Sequence, residues 1–165
     1  MKGWVYIVSK YATAEQAVQC IKNGDRVGIG LGCGEASALV RELGRRMPEL
    51  TGVETVQMLA LGATPYCTPE AEGHVRHNSL YVGGKDRKAV AEGRADYSPR
   101  FFSQMPGLVA DGYLPTDVAL VQVSRPDKHG HVSLGISVDY TMAMAKNAKI
   151  AIAQINNNMP RTHGN

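Results

Sequence analysis

A chain of 165 residues with 44% hydrophobic and 20% charged residues is sized and composed for one globular domain. Its net charge of +3 is too small to mark a nucleic-acid binder, and no apolar run reaches the roughly 20 residues of a membrane span. Cys20, Cys33 and Cys67 share no short spacing, which excludes a CxxC metal site and a disulfide framework; with no signal-like N-terminus, the expected compartment is a reducing cytoplasm. In chain order, Thr13 and Gln16 form a capping-box pair, and Ala14, Ala17, Val18 and Ile21 recur at helical spacing up to Gly24. RVGIGL (26–31) reads as a short apolar strand. Leu39, Val40, Leu43 and Met47 then predict a helix over 37–47, stopped by Pro48. Strands are predicted over 54–62 (ETVQMLALG) and 78–84 (NSLYVGG), and a short helix over 86–93 with Asp86 as cap and Gly93 as stop. The runs DVALVQVS (117–124) and KIAIAQIN (149–156) read as buried strands. They are separated by the polar turn RPDKHGH and a helix over 140–147. Residues 77–102 read as neither a clean strand nor a clean helix.

This alternation predicts an open, mostly parallel α/β sheet with helices on both faces. Ligands in such sheets bind beyond the carboxyl ends of the strands. GLGCGE, LGATPY, VGGKD, VSRPDKHGH and NNNMPRTHGN are therefore the stretches that matter. GLGCGE, LGATPY and NNNMPRTHGN are expected to converge on one edge of the domain.

The glycine-rich turn at 28–35 is not a dinucleotide fingerprint. Counting GxGxxG from Gly28, Gly30 or Gly32 ends on Cys33, Glu35 or Ser37, and no GxxxxGK or GxSxG exists. It reads equally as a tight packing turn or as a loop presenting itself to a ligand at a helix N-terminus. Glu35 would favour the dipole of the following helix. Cys33 has no His/Asp partner identifiable from sequence and is not read as a nucleophile. His74 and His77 stand three apart and His129 and His131 two apart; lacking a third ligand, they read as polar loop residues, and no metal site is expected. The residues by themselves offer loops shaped to hold a ligand and no reaction centre.

RHNSLYVGGKDRKAVAEGRADYSPRFFSQMP (76–106) resembles the most characteristic segment of the acetyl-CoA hydrolase/transferase family, the branch of family I CoA-transferases that includes 4-hydroxybutyrate and acetate/butyrate CoA-transferases. AEQAVQCIKNGDRVGIGLGCGEASAL, LGATPYCTPE, LPTDVALVQVSRPDKHGHVSLGISVD and AKIAIAQINNNMPRTHGN resemble it in the same order, so the likeness covers essentially the whole chain. Two departures stand out. Gly34-Glu35-Ala36 replaces the common Gly-Glu-Pro, and Thr162-His163-Gly164-Asn165 replaces Thr-His-Gly-Asp.

The resemblance implies a CoA-transferase-like half, the N-terminal domain over 1–165, with the glutamate that forms the glutamyl-CoA thioester on a second half. It implies coenzyme A as substrate with no permanently bound cofactor. The implied partners are an acyl-CoA, a small carboxylate, and the chain's own C-terminal half or a second subunit in a homo-oligomer, with neither nucleic acid nor membrane. Gly32, Gly34 and Glu35 would line the site; Pro65, Tyr66, His77, Asn78 and Tyr81 would shape the acyl pocket; Arg161 would pair with a carboxylate. Arg94, Asp96 and Tyr97 would hold the irregular segment, as a pocket wall or as the interface between halves. An acetyl-CoA hydrolase and a non-catalytic ligand-binding or assembly domain remain the alternatives.

Overall fold

The computed structural model describes residues 11–163. Six strands form one sheet, every neighbouring pair parallel: β1 (Arg26–Ile29), β2 (Val53–Gln57), β3 (Val75–Ser79), β4 (Ala95–Tyr97), β5 (Val118–Val123) and β6 (Ile150–Ile155). Their spatial order is β4-β3-β2-β1-β5-β6. The chain winds outward from β1 to β4 in one direction and then returns to β5 on the other side of β1. The β1–β5 junction is therefore the topological switch point, where loops from neighbouring strands part and leave a crevice.

Among the described residues α1 (Ala14–Ala17) precedes β1, and α2 (Ser37–Arg46), α3 (Arg87–Ala91), α4 (Met105–Ala110) and α5 (Asp139–Asn147) lie between strands. Two apolar clusters place them on opposite faces. Val27, Ile29, Val118 and Leu120 pack with Leu39, Val40 and Leu43 of α2 and with Ala89 of α3. Ala119, Val121 and Val123 pack with Met105 and Val109 of α4 and with Tyr140 and Met144 of α5. The alternation along β5 feeds both clusters, as a strand buried on both faces must.

Several boundaries differ from the sequence reading. The capping box is present, with Thr13 Oγ1 accepting from Gln16 N at 3.2 Å, but α1 tightens after one turn into a 3₁₀ turn over Val18–Cys20. The strand expected over 78–84 lies instead at Val75–Ser79, where it matches β2 residue for residue from Val53↔Val75 to Gln57↔Ser79. Its polar residues hid it: His77 and Ser79 are buried, and both find polar partners inside. Asp86 stands at the start of α3 but makes no side-chain cap; its carboxylate turns inward. β4 emerges from the 77–102 segment, and α4 follows just beyond it in a stretch for which no element is predicted. β6 was read as buried, yet it is the edge strand, alternating between exposed and half-buried.

Candidate functional site

Beyond Ile29 the chain enters the loop Gly30–Glu35, which then feeds α2. Gly32 adopts φ +53°, a left-handed conformation that a side chain resists, and this turns the loop into a 3₁₀ turn over Gly32–Gly34. The N–H groups of Gly32, Gly34 and Glu35 donate to the carbonyls of Leu59, Leu31 and Gly32 at 2.9, 2.8 and 3.1 Å. These three residues thus contribute shape to the site, since their donors are already engaged.

The described parts of the three expected stretches are linked through direct and indirect contacts. A Cβ at Gly62 would lie 2.2 Å from Glu35 Oε1, so LGATPY passes directly over the Glu35 carboxylate. Ser137 Oγ donates to Leu31 O at 3.3 Å, and Thr162 Oγ1 donates to Gly135 O at 3.1 Å. The loop before α5 thereby joins the glycine loop to the NNNMPRTHGN stretch.

Beneath these loops runs a buried polar chain. Glu35, 3% exposed, accepts from Gln57 Nε2 at 3.0 Å and from Ser37 Oγ at 3.1 Å. Gln57 also donates to Gly30 O at 3.0 Å and accepts from Tyr66 OH at 2.5 Å. Burial, aided by the nearby Glu35 charge, pushes the Tyr66 phenol well above its ordinary range and keeps it a donor. The Tyr66 ring lies on His77 with centroids 4.7 Å apart. His77 Nδ1 meets Thr55 Oγ1 at 3.0 Å, while its Nε2 faces Asp86 Oδ2 at 3.8 Å, beyond hydrogen-bond range. Asp86 accepts from Ser79 Oγ at 2.5 Å and from Gly83 N at 2.7 Å. Burial alone would raise its carboxyl; the contacts with His77, Ser79 and Gly83 outweigh that and bring it from 3.8 down to about 2. Asp86 therefore anchors the VGGKD turn to β3.

The expected site residues divide into groups. Gly32, Gly34 and Glu35 come together at the switch point. Tyr66 and His77 belong to the buried chain under it, at 1% and 0% exposure, and support the loops from below. Pro65 packs on α2, where a Cβ at Gly44 would lie 2.6 Å from the proline ring. Asn78 donates to Glu54 Oε1 at 3.0 Å. Tyr81 is exposed beside the VGGKD turn. Arg161 already pairs with a carboxylate, that of Asp127 at 3.0 Å, and also donates to His131 O. In the irregular segment, Arg94 reaches the Cys67 carbonyl and Glu92, Asp96 pairs with Arg76, and Tyr97 is exposed. Two open depressions of about 410 and 430 Å³ lie elsewhere, at the amino ends of β2 and β3 and between α4 and α5; neither is lined by Gly30–Glu35.

Sequence reading missed three glutamines. Gln57 ends β2, and Gln122 and Gln154 are the second-last residues of β5 and β6. All three side chains bind the glycine loop or the start of α2. Gln122 Nε2 donates to Cys33 O at 2.9 Å, and Gln154 Oε1 accepts from Ala38 N at 2.9 Å. The signal was available: an amide inside an apolar strand must find partners or cost stability.

The comparisons with known proteins agree with one another. Residues 6–165 match the acetyl-CoA hydrolase/transferase N-terminal domain. A 4-hydroxybutyrate coenzyme A transferase of Clostridium kluyveri is 48% identical over 155 residues, covering 94% of this chain and 36% of that protein. A butyryl-CoA:acetate CoA-transferase of Anaerostipes caccae is 35% identical over 158 residues, covering 94% and 35%. The crystal structure of RipA from Yersinia pestis superposes with a TM-score of 0.85 at 26% identity, covering 93% of this chain and 38% of that one. The chain thus spans about a third of the length of the curated relatives it matches. It belongs to the acetyl-CoA hydrolase/transferase family, within that family's N-terminal domain.

Proposed function

We propose that this domain forms one wall of a CoA-transferase site that moves coenzyme A between an acyl-CoA and a small carboxylate of the acetate, butyrate or 4-hydroxybutyrate type. The carrying observation is the braced glycine loop at the switch point between β1 and β5, the place where an open parallel sheet takes a ligand. The N–H groups of Gly30, Gly32, Gly34 and Glu35 are engaged by backbone carbonyls, and among the described residues the buried carboxylates of Glu35 and Asp86 are both tied up in hydrogen bonds. Following the resemblance to the family, the nucleophile is assigned to a second half, the domain's own C-terminal continuation or a separate subunit.

On that half, a glutamate carboxylate attacks the acyl-CoA carbonyl and expels CoA thiolate, leaving an acyl-glutamyl anhydride. The thiolate attacks the glutamyl carbonyl, releases the carboxylate and forms a glutamyl-CoA thioester. An incoming carboxylate repeats the two steps in reverse and restores the glutamate. This chain's part is to hold the reacting partners in place and narrow the crevice. The test is an assay of the full-length protein with butyryl-CoA in the presence and absence of acetate. Acetate-dependent formation of acetyl-CoA with ping-pong kinetics is expected; CoA release at the same rate without acetate would make the protein a hydrolase.

A further inference from the structure

We propose that Gln57, Gln122 and Gln154 form a three-point brace that sets the Gly30–Ala38 segment, and that they are positioning residues for the site proposed above, on whose reading this inference rests. None of them needs to touch substrate. Each leaves the carboxyl end of a different strand and takes a different point of the segment. Gln57 holds Gly30 O and the Glu35 carboxylate, Gln122 holds Cys33 O, and Gln154 holds Ala38 N. Together they fix the beginning, middle and end of one turn whose shape depends on a left-handed Gly32.

The last contact replaces a missing cap. The residue at the N-cap of α2 is Ala36, which has no side-chain acceptor, and the first-turn N–H of Ala38 is satisfied from β6 instead. The backbone partners also fix the amide orientations. Gln122 must present its NH₂ to a carbonyl, and Gln154 must present its oxygen to an N–H. The two are register partners on adjacent strands and are linked to each other, Gln154 Nε2 lying 3.4 Å from Gln122 Oε1. Although they look equivalent in sequence, they are opposite in chemistry.

That opposition gives the test. In the full-length protein, Gln122→Glu replaces a donor by a carboxylate facing Cys33 O, whereas Gln154→Glu keeps an acceptor at a helix N-terminus, where negative charge is favourable. Hydrogen exchange followed by mass spectrometry reads residues 30–38 directly, and steady-state kinetics reads the site. Gln122→Glu, and Gln122→Met as a volume-matched control without the donor, are expected to speed exchange in 30–38 while leaving 26–29 unchanged. Both should raise the KM for acyl-CoA roughly tenfold, the scale of one lost hydrogen bond, with kcat within about twofold. Gln154→Glu keeps the acceptor for Ala38 N and loses the long contact with Gln122 Oε1, which still accepts from Asn156 Nδ2 at 3.2 Å, so it is expected to disturb both readouts less than Gln122→Glu, and Gln154→Met is expected to behave like Gln122→Met. Unchanged exchange in Gln122→Met, or equal damage from Gln122→Glu and Gln154→Glu, overturns the brace. Faster exchange with unaltered KM and kcat overturns its role in positioning the site. A wild-type protein without transferase activity overturns the functional reading, and the exchange experiment still decides the brace.

Discussion

β5 and β6 are neighbours of equal length, parallel and in register from Val118↔Ile150 to Val123↔Ile155. VALVQV and IAIAQI carry nearly the same message: apolar residues throughout and a glutamine at the same position. All six residues of β5 are buried, while those of β6 are exposed or half-buried. The difference lies in place. β5 lies between β1 and β6 with α5 and the apolar clusters on its faces; among the described residues β6 has a partner on one side only. Composition tells a strand what it tolerates, and position in the sheet decides whether that tolerance is used. A charge-free, proline-free edge of this kind is one that proteins ordinarily guard.

The comparison can be broken at its strongest point first. Leu120→Ala removes a fully buried side chain from β5 and is expected to cost about 2–5 kcal/mol in urea unfolding, with the m-value unchanged. Next is the interior polar chain, which β6 lacks. Asp86→Ala leaves Gly83 N and the Ser79 hydroxyl without their acceptor and is expected to cost about 2 kcal/mol. Because the Asp86 carboxyl is lower in the folded protein than unfolded, its contribution is full above the ordinary 3.8 and fades as pH falls toward about 2. A urea midpoint followed between those two pH values should drop more steeply in wild type than in Asp86→Asn. The smallest effect belongs to β6: Ile155→Ala is expected to change stability by no more than about 0.5 kcal/mol in this chain. In the longer protein the same substitution should cost over about 1 kcal/mol where an added half buries the side chain. A cost on β6 equal to that on β5 in the short chain would erase the contrast.

Much of this architecture was legible in the sequence, for a physical reason in each case. α2 announced itself through Leu39, Val40, Leu43 and Met47, all of which are buried. β1, β2 and β5 read as apolar runs, and the glycine turn marked the loop that sits at the switch point. β3 was displaced because Arg76, His77, Asn78 and Ser79 carry polar side chains whose partners come from other parts of the chain. β4 is three residues, Ala-Asp-Tyr, held by pairing with β3 and by the Arg76–Asp96 ion pair, which local pattern does not report. α4 opens on Met105-Pro106-Gly107, two of them residues that count against a helix, although proline is well placed in a first turn. The site was half legible. Its glycines stand out in the sequence, but the glutamines that hydrogen-bond to the loop and to the start of α2 look like ordinary strand residues, and Tyr66 and His77, expected to shape the acyl pocket, are buried.

On the proposed reading, this domain shapes a CoA-transferase site whose nucleophile lies on a second half. The most direct measurement is butyryl-CoA:acetate exchange by the 165-residue chain and by the full-length protein, side by side, with circular dichroism confirming that both are folded. Turnover of order 1–10³ per second is expected for the full-length protein and none for the short chain. Exchange at that rate by the short chain alone would contradict that reading.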